Sequence, residues 1–102
     1  MKSFYLLFLG TVSLLASCGK TPAPCFEVET EADSIRVGKS VTFDAGCSID
    51  VRDYNWDFGN GLGGYDPVMS IAFDSAKTYE VTLVGTNGGK SSATRKEVIV
   101  LP

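Results

Sequence analysis

The stretch that decides the fold is Tyr54-Asn55-Trp56-Asp57-Phe58-Gly59-Asn60-Gly61. Its aromatic and polar residues alternate, so Tyr54, Trp56 and Phe58 fall on one face of an extended chain. The glycines that follow are typical of a tight turn at the end of a strand. Because such aromatic side chains can fill the space between two packed sheets, the stretch predicts a core strand of a β-sandwich.

The same two-residue alternation recurs on both sides of this stretch. Apolar residues alternate with polar or exposed positions in four further runs: Phe26 and Val28; Val41 and Phe43; Tyr79, Val81 and Leu83; Val98 and Val100. Turn signals separate the runs, and Asn87-Gly88-Gly89 between the last two is typical of a β-hairpin. No stretch has the periodicity of an amphipathic helix. The pattern predicts an all-β protein built from short antiparallel strands.

A second landmark lies downstream, in Ile71-Ala72-Phe73 followed by Thr78-Tyr79-Glu80-Val81-Thr82-Leu83. Together with residues 54–61 it resembles the polycystic-kidney-disease (PKD) repeat, whose usual first run is Trp-Asp-Phe-Gly-Asp-Gly. Asn60 replaces the usual aspartate, and Ile71 stands where histidine is common. The resemblance covers about residues 26–100 and implies an Ig-like β-sandwich of about seven antiparallel strands. Its expected core contains Trp56, Tyr54, Phe58 and Tyr79; the alternative for Trp56 is an exposed ligand platform.

The first eighteen residues are typical of an export signal. Lys2 gives a positive start, an uncharged apolar run follows, and Leu15-Ala16-Ser17-Cys18 closes it. The apolar run is too short to cross a bilayer permanently. The closing tetrapeptide resembles the lipobox of bacterial lipoproteins, which implies removal of residues 1–17 and a lipid on Cys18. A plain secretory signal that leaves a free thiol is the alternative.

The expected organisation is a signal peptide over 1–17, a lipidated N-terminus and linker over 18–24, and one PKD-like domain over 25–102. We expect lipid anchorage at the outer membrane of a Gram-negative bacterium. From Cys18 onward, eight basic residues face twelve acidic residues, which gives a net charge of −4. This acidic balance argues against nucleic-acid binding, since phosphate contacts need clustered Lys and Arg.

Three cysteines are present, an odd number. Acylation of Cys18 would leave Cys25 and Cys47 as a pair in an oxidising compartment. Cys25 precedes the first predicted strand and Cys47 follows the second, so the pair would meet if those strands run antiparallel. We therefore expect a Cys25–Cys47 disulfide, with two separate thiols as the alternative.

The sequence carries no arrangement typical of catalysis. It has no histidine, and therefore lacks the usual general base and the commonest metal ligand. We predict that the protein is not an enzyme and needs no cofactor. Asp57, Asn60 and Asp66 are weak candidates for calcium binding, because hard cations prefer oxygen ligands. The alternative is that these residues only form turns.

Residues 59–67 are the best candidate for contact with a partner. Glycines give this loop freedom, while Leu62 and Tyr65 give it apolar reach. The alternative is that both side chains fold back over the sandwich. The predicted function is a non-catalytic module that binds other proteins of the envelope at the outer membrane. A glycan-binding module associated with polysaccharide uptake or degradation is the alternative.

Overall fold

The computed structural model describes residues 20–29 and 35–102. These residues form seven β-strands and no helix. The strands are β1 (Glu27–Val28), β2 (Ser40–Asp44), β3 (Asp53–Asp57), β4 (Gly63–Gly64), β5 (Val68–Ala72), β6 (Thr78–Asn87) and β7 (Lys90–Ile99). The all-β prediction is confirmed. In the described ranges, no helix is long and apolar enough to cross a membrane. Cys18 and the predicted signal peptide lie outside the described residues.

The strands form two antiparallel sheets, ordered β1-β2-β5 and β4-β3-β6-β7. In the smaller sheet, β2 pairs with β5 from Ser40 opposite Ala72 to Asp44 opposite Val68. In the larger sheet, Trp56 of β3 lies opposite Leu83 of β6. The predicted Ig-like sandwich of about seven antiparallel strands is therefore confirmed.

The core between the sheets is dominated by aromatic rings. Trp56 is 2% exposed. Its indole stacks on the Phe58 ring with the ring centroids 5.4 Å apart, and it packs edge-on against the Phe26 ring with the centroids 5.2 Å apart. Phe43 of the smaller sheet lies 5.0 Å from Phe58. Tyr79 is also buried, and Tyr54 packs half-buried against the same cluster. A buried indole is not an exposed ligand platform, so Trp56 serves as a packing residue.

The β6–β7 hairpin follows the turn signal in the sequence. Asn87 lies opposite Lys90, with Gly88 and Gly89 as the two loop residues. Both glycines have positive φ, 58° and 89°. Two successive positive φ angles match the right-handed twist of a two-residue hairpin, which explains the Gly-Gly pair.

The predicted disulfide between Cys25 and Cys47 is present, with the two Cα atoms 5.3 Å apart. Antiparallel pairing of β1 with β2 brings the residue before the first strand beside the residues after the second. Ser48 reinforces the junction, because its Oγ accepts from the Cys25 N–H and donates to the Cys25 carbonyl, both at 2.9 Å.

The linker expected over residues 18–24 is shorter in the structure. Ala23 exchanges two backbone hydrogen bonds with Ile49, at 2.9 and 3.0 Å, and Pro22 is buried. Pro24 packs with Val51 over Gly85, where a Cβ would lie 3.3 Å from Pro24 and 2.8 Å from a Val51 methyl. Residues 22–24 therefore belong to the folded body.

The opposite end of the sandwich is closed by the chain after β7. Leu101 forms a parallel bridge with Arg36, and the Val37 N–H donates to the Leu101 carbonyl at 3.0 Å. The Gly38 N–H donates to the Phe73 carbonyl at 2.9 Å. The two ends are thus built from different segments: 22–24 and 45–53 at one end, 36–39 and 73–77 at the other.

Candidate binding loop

Residues 59–67 connect β3 to β5 and contain β4; we call them the binding loop. Side chains of β3 and the loop build its first turn. Asp57 Oδ1 accepts from the Gly59 N–H at 2.9 Å, and Asn60 Oδ1 accepts from the Leu62 N–H at 3.0 Å. The Phe58 N–H donates to the Leu62 carbonyl at 3.1 Å. These bonds close a tight turn that fixes the backbone of Leu62.

Trp56 fixes the second half of the loop. Its Nε1–H donates to the Asp66 carbonyl at 2.7 Å, so the buried core residue holds the loop from below. In β4, Gly64 lies opposite Trp56, and Gly63 lies opposite Asp57. A Cβ at Gly63 would overlap the Trp56 carbonyl oxygen, and a Cβ at Gly64 would overlap the Met69 side chain. The glycines are therefore needed for close packing.

The loop ends in a contact with the smaller sheet. The Ala45 N–H donates to the Pro67 carbonyl at 2.8 Å, so both sheets hold the loop. Between these fixed points Leu62 is 52% exposed and Tyr65 is 76% exposed. The alternative in which both side chains fold back over the sandwich is wrong. A backbone held this way loses little conformational entropy when a partner binds.

Another exposed apolar residue follows the loop in the chain. Val68, the first residue of β5, is also exposed, which places three exposed apolar side chains within residues 62–68. No pocket is found among the described residues. The arrangement is an open surface, and it is suited to another macromolecule rather than to a small enclosed ligand.

Two of the three candidate calcium ligands, Asp57 and Asn60, act as turn residues. Asp57 Oδ1 and Asn60 Oδ1 each accept a loop N–H, and the Asp66 carbonyl is engaged by Trp56. The one group of three possible metal ligands in the described ranges is Cys25, Glu27 and Cys47. Its two sulfurs form the disulfide and so offer no thiolates.

A second polar feature lies along β1 and β2. Glu29 and Asp44 are close enough for a hydrogen bond between their carboxyl groups, which raises the pKa of Glu29; desolvation and the like charge of Asp44 add to the rise. Glu27 lies opposite Asp44 in the strand register. This edge of the smaller sheet is therefore acidic, as the sequence indicates, and it carries a pair of like charges.

The outer face of the larger sheet is a weaker candidate surface. Ile99 is 51% exposed, whereas Val84 is half-buried. The neighbouring positions Thr82 and Arg95 are polar. A single exposed isoleucine on a polar face is ordinary for a protein surface.

Lys96 makes a contact that the sequence pattern does not predict. Lys96 of β7 lies opposite the buried Val81. Its Nζ donates to the Phe26 carbonyl at 2.6 Å and lies 5.1 Å from the Phe26 ring centroid. The lysine thus ties β7 to the segment before β1. The signal in the sequence that could have indicated this role is the position of Lys96 two residues before the buried Val98, on the same face of the strand.

Comparison with known proteins identifies relatives over most of the chain. The family model described as PKD domain matches residues 25–100. The PKD1 domain of Vibrio anguillarum Epp is 29% identical with a TM-score of 0.68, and the match covers 82% of this chain and 99% of that one. The PKD1 domain from Vibrio cholerae metalloprotease PrtV is 28% identical with a TM-score of 0.68, covering 81% and 100%.

A third similar structure comes from carbohydrate-binding modules of the beta-sandwich superfamily with promiscuous specificity. It is 29% identical with a TM-score of 0.75, and the match covers 81% of this chain but 35% of that one. The chain thus spans about a third of that protein. No curated protein matches the sequence significantly.

Proposed function

Because the chain belongs to the PKD domain family, we propose that it is a non-catalytic module that binds another protein of the bacterial envelope through the binding loop. A lipid on Cys18 anchors it to the outer membrane. The single observation that carries the proposal is the loop itself, which is held by both sheets while Leu62 and Tyr65 remain exposed.

The chemistry of the loop favours a protein partner. Tyr65 supplies a rigid aromatic ring with a polar hydroxyl, a combination common at recognition surfaces. Leu62 and Val68 add aliphatic area on either side of it along the chain. An aromatic anchor flanked by aliphatic residues can fill pockets of a partner protein and exclude water around them.

The non-catalytic assignment is supported by composition. The sequence contains no histidine. The Asp57 carboxylate beside the binding loop is occupied as a turn former, because its Oδ1 accepts from the Gly59 N–H. A binding role needs neither a histidine nor a pair of carboxylates for acid–base chemistry.

Crosslinked membranes test the protein–protein proposal. The tagged protein is crosslinked in its native membrane, and partners are recovered with the wild type, Leu62→Ala and Tyr65→Ala. Ile99→Ala is a matched control, since Ile99 is 51% exposed and Leu62 is 52% exposed. We expect both loop variants to lose a stoichiometric partner that Ile99→Ala retains. Recovery of the same partner by all four proteins would contradict the proposal.

Glycan binding is a second candidate, supported by one specific observation. Tyr65 is the one aromatic residue among the exposed large hydrophobic side chains of the described ranges, and carbohydrate rings stack on exposed aromatic rings. One similar structure is of carbohydrate-binding modules. For a glycan ligand, the Tyr65 ring contributes more to binding than the aliphatic side chains of Leu62 and Val68.

Substitutions at Tyr65 separate the two candidates. On a glycan array, stacking survives Tyr65→Phe, is lost in Tyr65→Leu, and is indifferent to Leu62→Ala. A protein pocket that surrounds the whole loop is sensitive to Leu62→Ala. Absence of any glycan hit with the wild-type protein would remove the second candidate.

The anchor has its own test. Cys18→Ala should move the protein from the membrane fraction to the soluble fraction and abolish its acyl mass. Ser17→Ala is the matched control, because it keeps a small residue before the cysteine and should leave acylation intact. Unchanged membrane partitioning of Cys18→Ala would contradict lipid anchoring.

A further inference from the structure

Four segments converge at one end of the sandwich, which we call the near end: residues 20–24, 45–53, 66–67 and 86–90. Ala23 pairs with Ile49, and the Arg52 N–H donates to the Thr86 carbonyl at 2.9 Å. Asn87 Nδ2–H donates to the Asp50 carbonyl at 2.9 Å. These bonds make the near end one continuous surface, and the chain enters the domain through it.

The tether above the near end is very short. Only Gly19, Lys20 and Thr21 separate Cys18 from the buried Pro22. Even fully extended, the four steps from Cys18 to Pro22 span about 14 Å. The ten-residue strand β7 has a length of roughly 33 Å. The near end must therefore stay close to whatever holds Cys18, while the opposite end can lie much farther away.

Ile49 is the large apolar side chain that the near end exposes. It is 63% exposed at the tip of the segment that pairs with Ala23. An exposed aliphatic side chain at the end where the lipid tether enters suits the boundary between headgroups and acyl chains. We propose that the near end lies directly on the lipid headgroups, with Ile49 in contact with them. This inference rests on the proposed lipidation of Cys18 and adds the orientation of the domain.

The orientation has a consequence for the binding loop. β3 runs away from the near end, since Asp53 lies opposite Thr86 beside the hairpin and Asp57 lies farther along β6. Its five residues carry the chain about 16 Å before the loop begins. The loop turn that holds Leu62 therefore faces away from the membrane, where a partner protein can reach it.

Site-specific fluorescence quenching tests the orientation. With Cys18 acylated and Cys25 paired with Cys47, a newly introduced cysteine is the single reactive thiol. Ile49→Cys places a fluorophore at the near end, and Val37→Cys places a matched one at an exposed residue of the opposite end. The acylated protein is reconstituted in phosphatidylethanolamine–phosphatidylglycerol vesicles that contain a headgroup spin-labelled lipid.

We expect the quenching at position 49 to exceed that at position 37 several-fold. A Gly/Ser segment inserted after Thr21 should reduce the quenching at position 49 while the protein still sediments with the vesicles. Equal quenching at the two positions, or no effect of the insertion, would overturn the orientation. Mass spectrometry of the same protein reports acylation separately: an unacylated Cys18 would overturn both proposals, whereas an acylated protein with equal quenching would overturn the orientation alone.

Discussion

Two connections of similar length are fixed by different means. The segment between β2 and β3 is held covalently by the Cys25–Cys47 disulfide and by the pairing of Ile49 with Ala23. The binding loop between β3 and β5 is held by hydrogen bonds from Asp57, Asn60 and Trp56. The first fastening joins the N-terminal segment to the fold, while the second leaves Leu62 and Tyr65 exposed for contact. The disulfide thus stabilises the end where the chain enters the domain, and the hydrogen bonds fix the backbone of the loop that we propose binds a partner.

Removal of the disulfide should have the largest effect. It closes a loop with a sequence separation of 22, so the double variant Cys25→Ala/Cys47→Ala should lose about 3 kcal/mol of unfolding free energy. For a domain of this size the corresponding fall in Tm is on the order of 15 °C. Thermal unfolding of the variant, and of the wild type with and without a reductant, measures the effect. Equal Tm values in all three samples would contradict a stabilising disulfide.

A substitution at Trp56 should weaken the hydrogen bonding that holds the binding loop. Trp56→Phe keeps an aromatic core residue but removes the Nε1–H that binds the Asp66 carbonyl, and we expect a loss of about 2 kcal/mol. Phe43→Leu is the control, since it shrinks a buried ring of the smaller sheet by a comparable amount.

Hydrogen exchange separates the two variants. Both should lower the unfolding free energy, but only Trp56→Phe should speed exchange within the binding loop. The same acceleration in Phe43→Leu would show that general loosening of the core, rather than the lost indole hydrogen bond, frees the loop.

The elements with a side-chain pattern could be predicted from the sequence. β2, β3 and β6 place apolar residues such as Val41, Trp56 and Val81 on one face, because the two-residue period of a strand matches their spacing. β4 could not be predicted, since Gly63 and Gly64 have no side chains to alternate. Its formation depends on the close approach of Gly63 to the Trp56 backbone, which is a tertiary contact.

The N-terminal segment and the loop show the same limit. Two prolines around Ala23 are typical of a linker, yet the single N–H between them pairs with Ile49. The sequence could not decide whether Tyr65 is exposed, because its exposure depends on two distant groups that hold the loop, the Ala45 N–H and the Trp56 indole. Local chemistry gives the turn at Asn60; long-range contacts decide where the side chains point.

Asn60 offers a smaller and more local change in the loop. Asn60→Ala removes the acceptor of the Leu62 N–H and should reduce the unfolding free energy by about 0.5–1 kcal/mol. Asn60→Asp keeps the acceptor and should stay near the wild-type value. Urea unfolding measures both. If the two variants were equally destabilised, the lost hydrogen bond would not be the cause.

The smallest effect concerns the acidic edge beside the covalently held connection. The pKa of Glu29 is raised chiefly by its hydrogen bond with Asp44, so the folded state favours the protonated carboxyl. A raised pKa in the folded state stabilises the protein below the ordinary value of 4.5, and this contribution is lost as the pH rises through the raised value. Wild-type protein should therefore gain stability from this pair when acidified from neutral pH.

Glu29→Gln isolates that contribution. The amide removes the like charge and can still donate to Asp44, so the variant should be slightly more stable than the wild type at neutral pH and should lack the gain on acidification. Asp74→Asn is the control, because it removes one negative charge from an exposed residue at the opposite end and should leave that gain in place. Urea unfolding between neutral pH and the carboxyl range measures all three proteins. Parallel pH profiles for the wild type and Glu29→Gln would mean that the shared proton does not stabilise the β1–β2 edge.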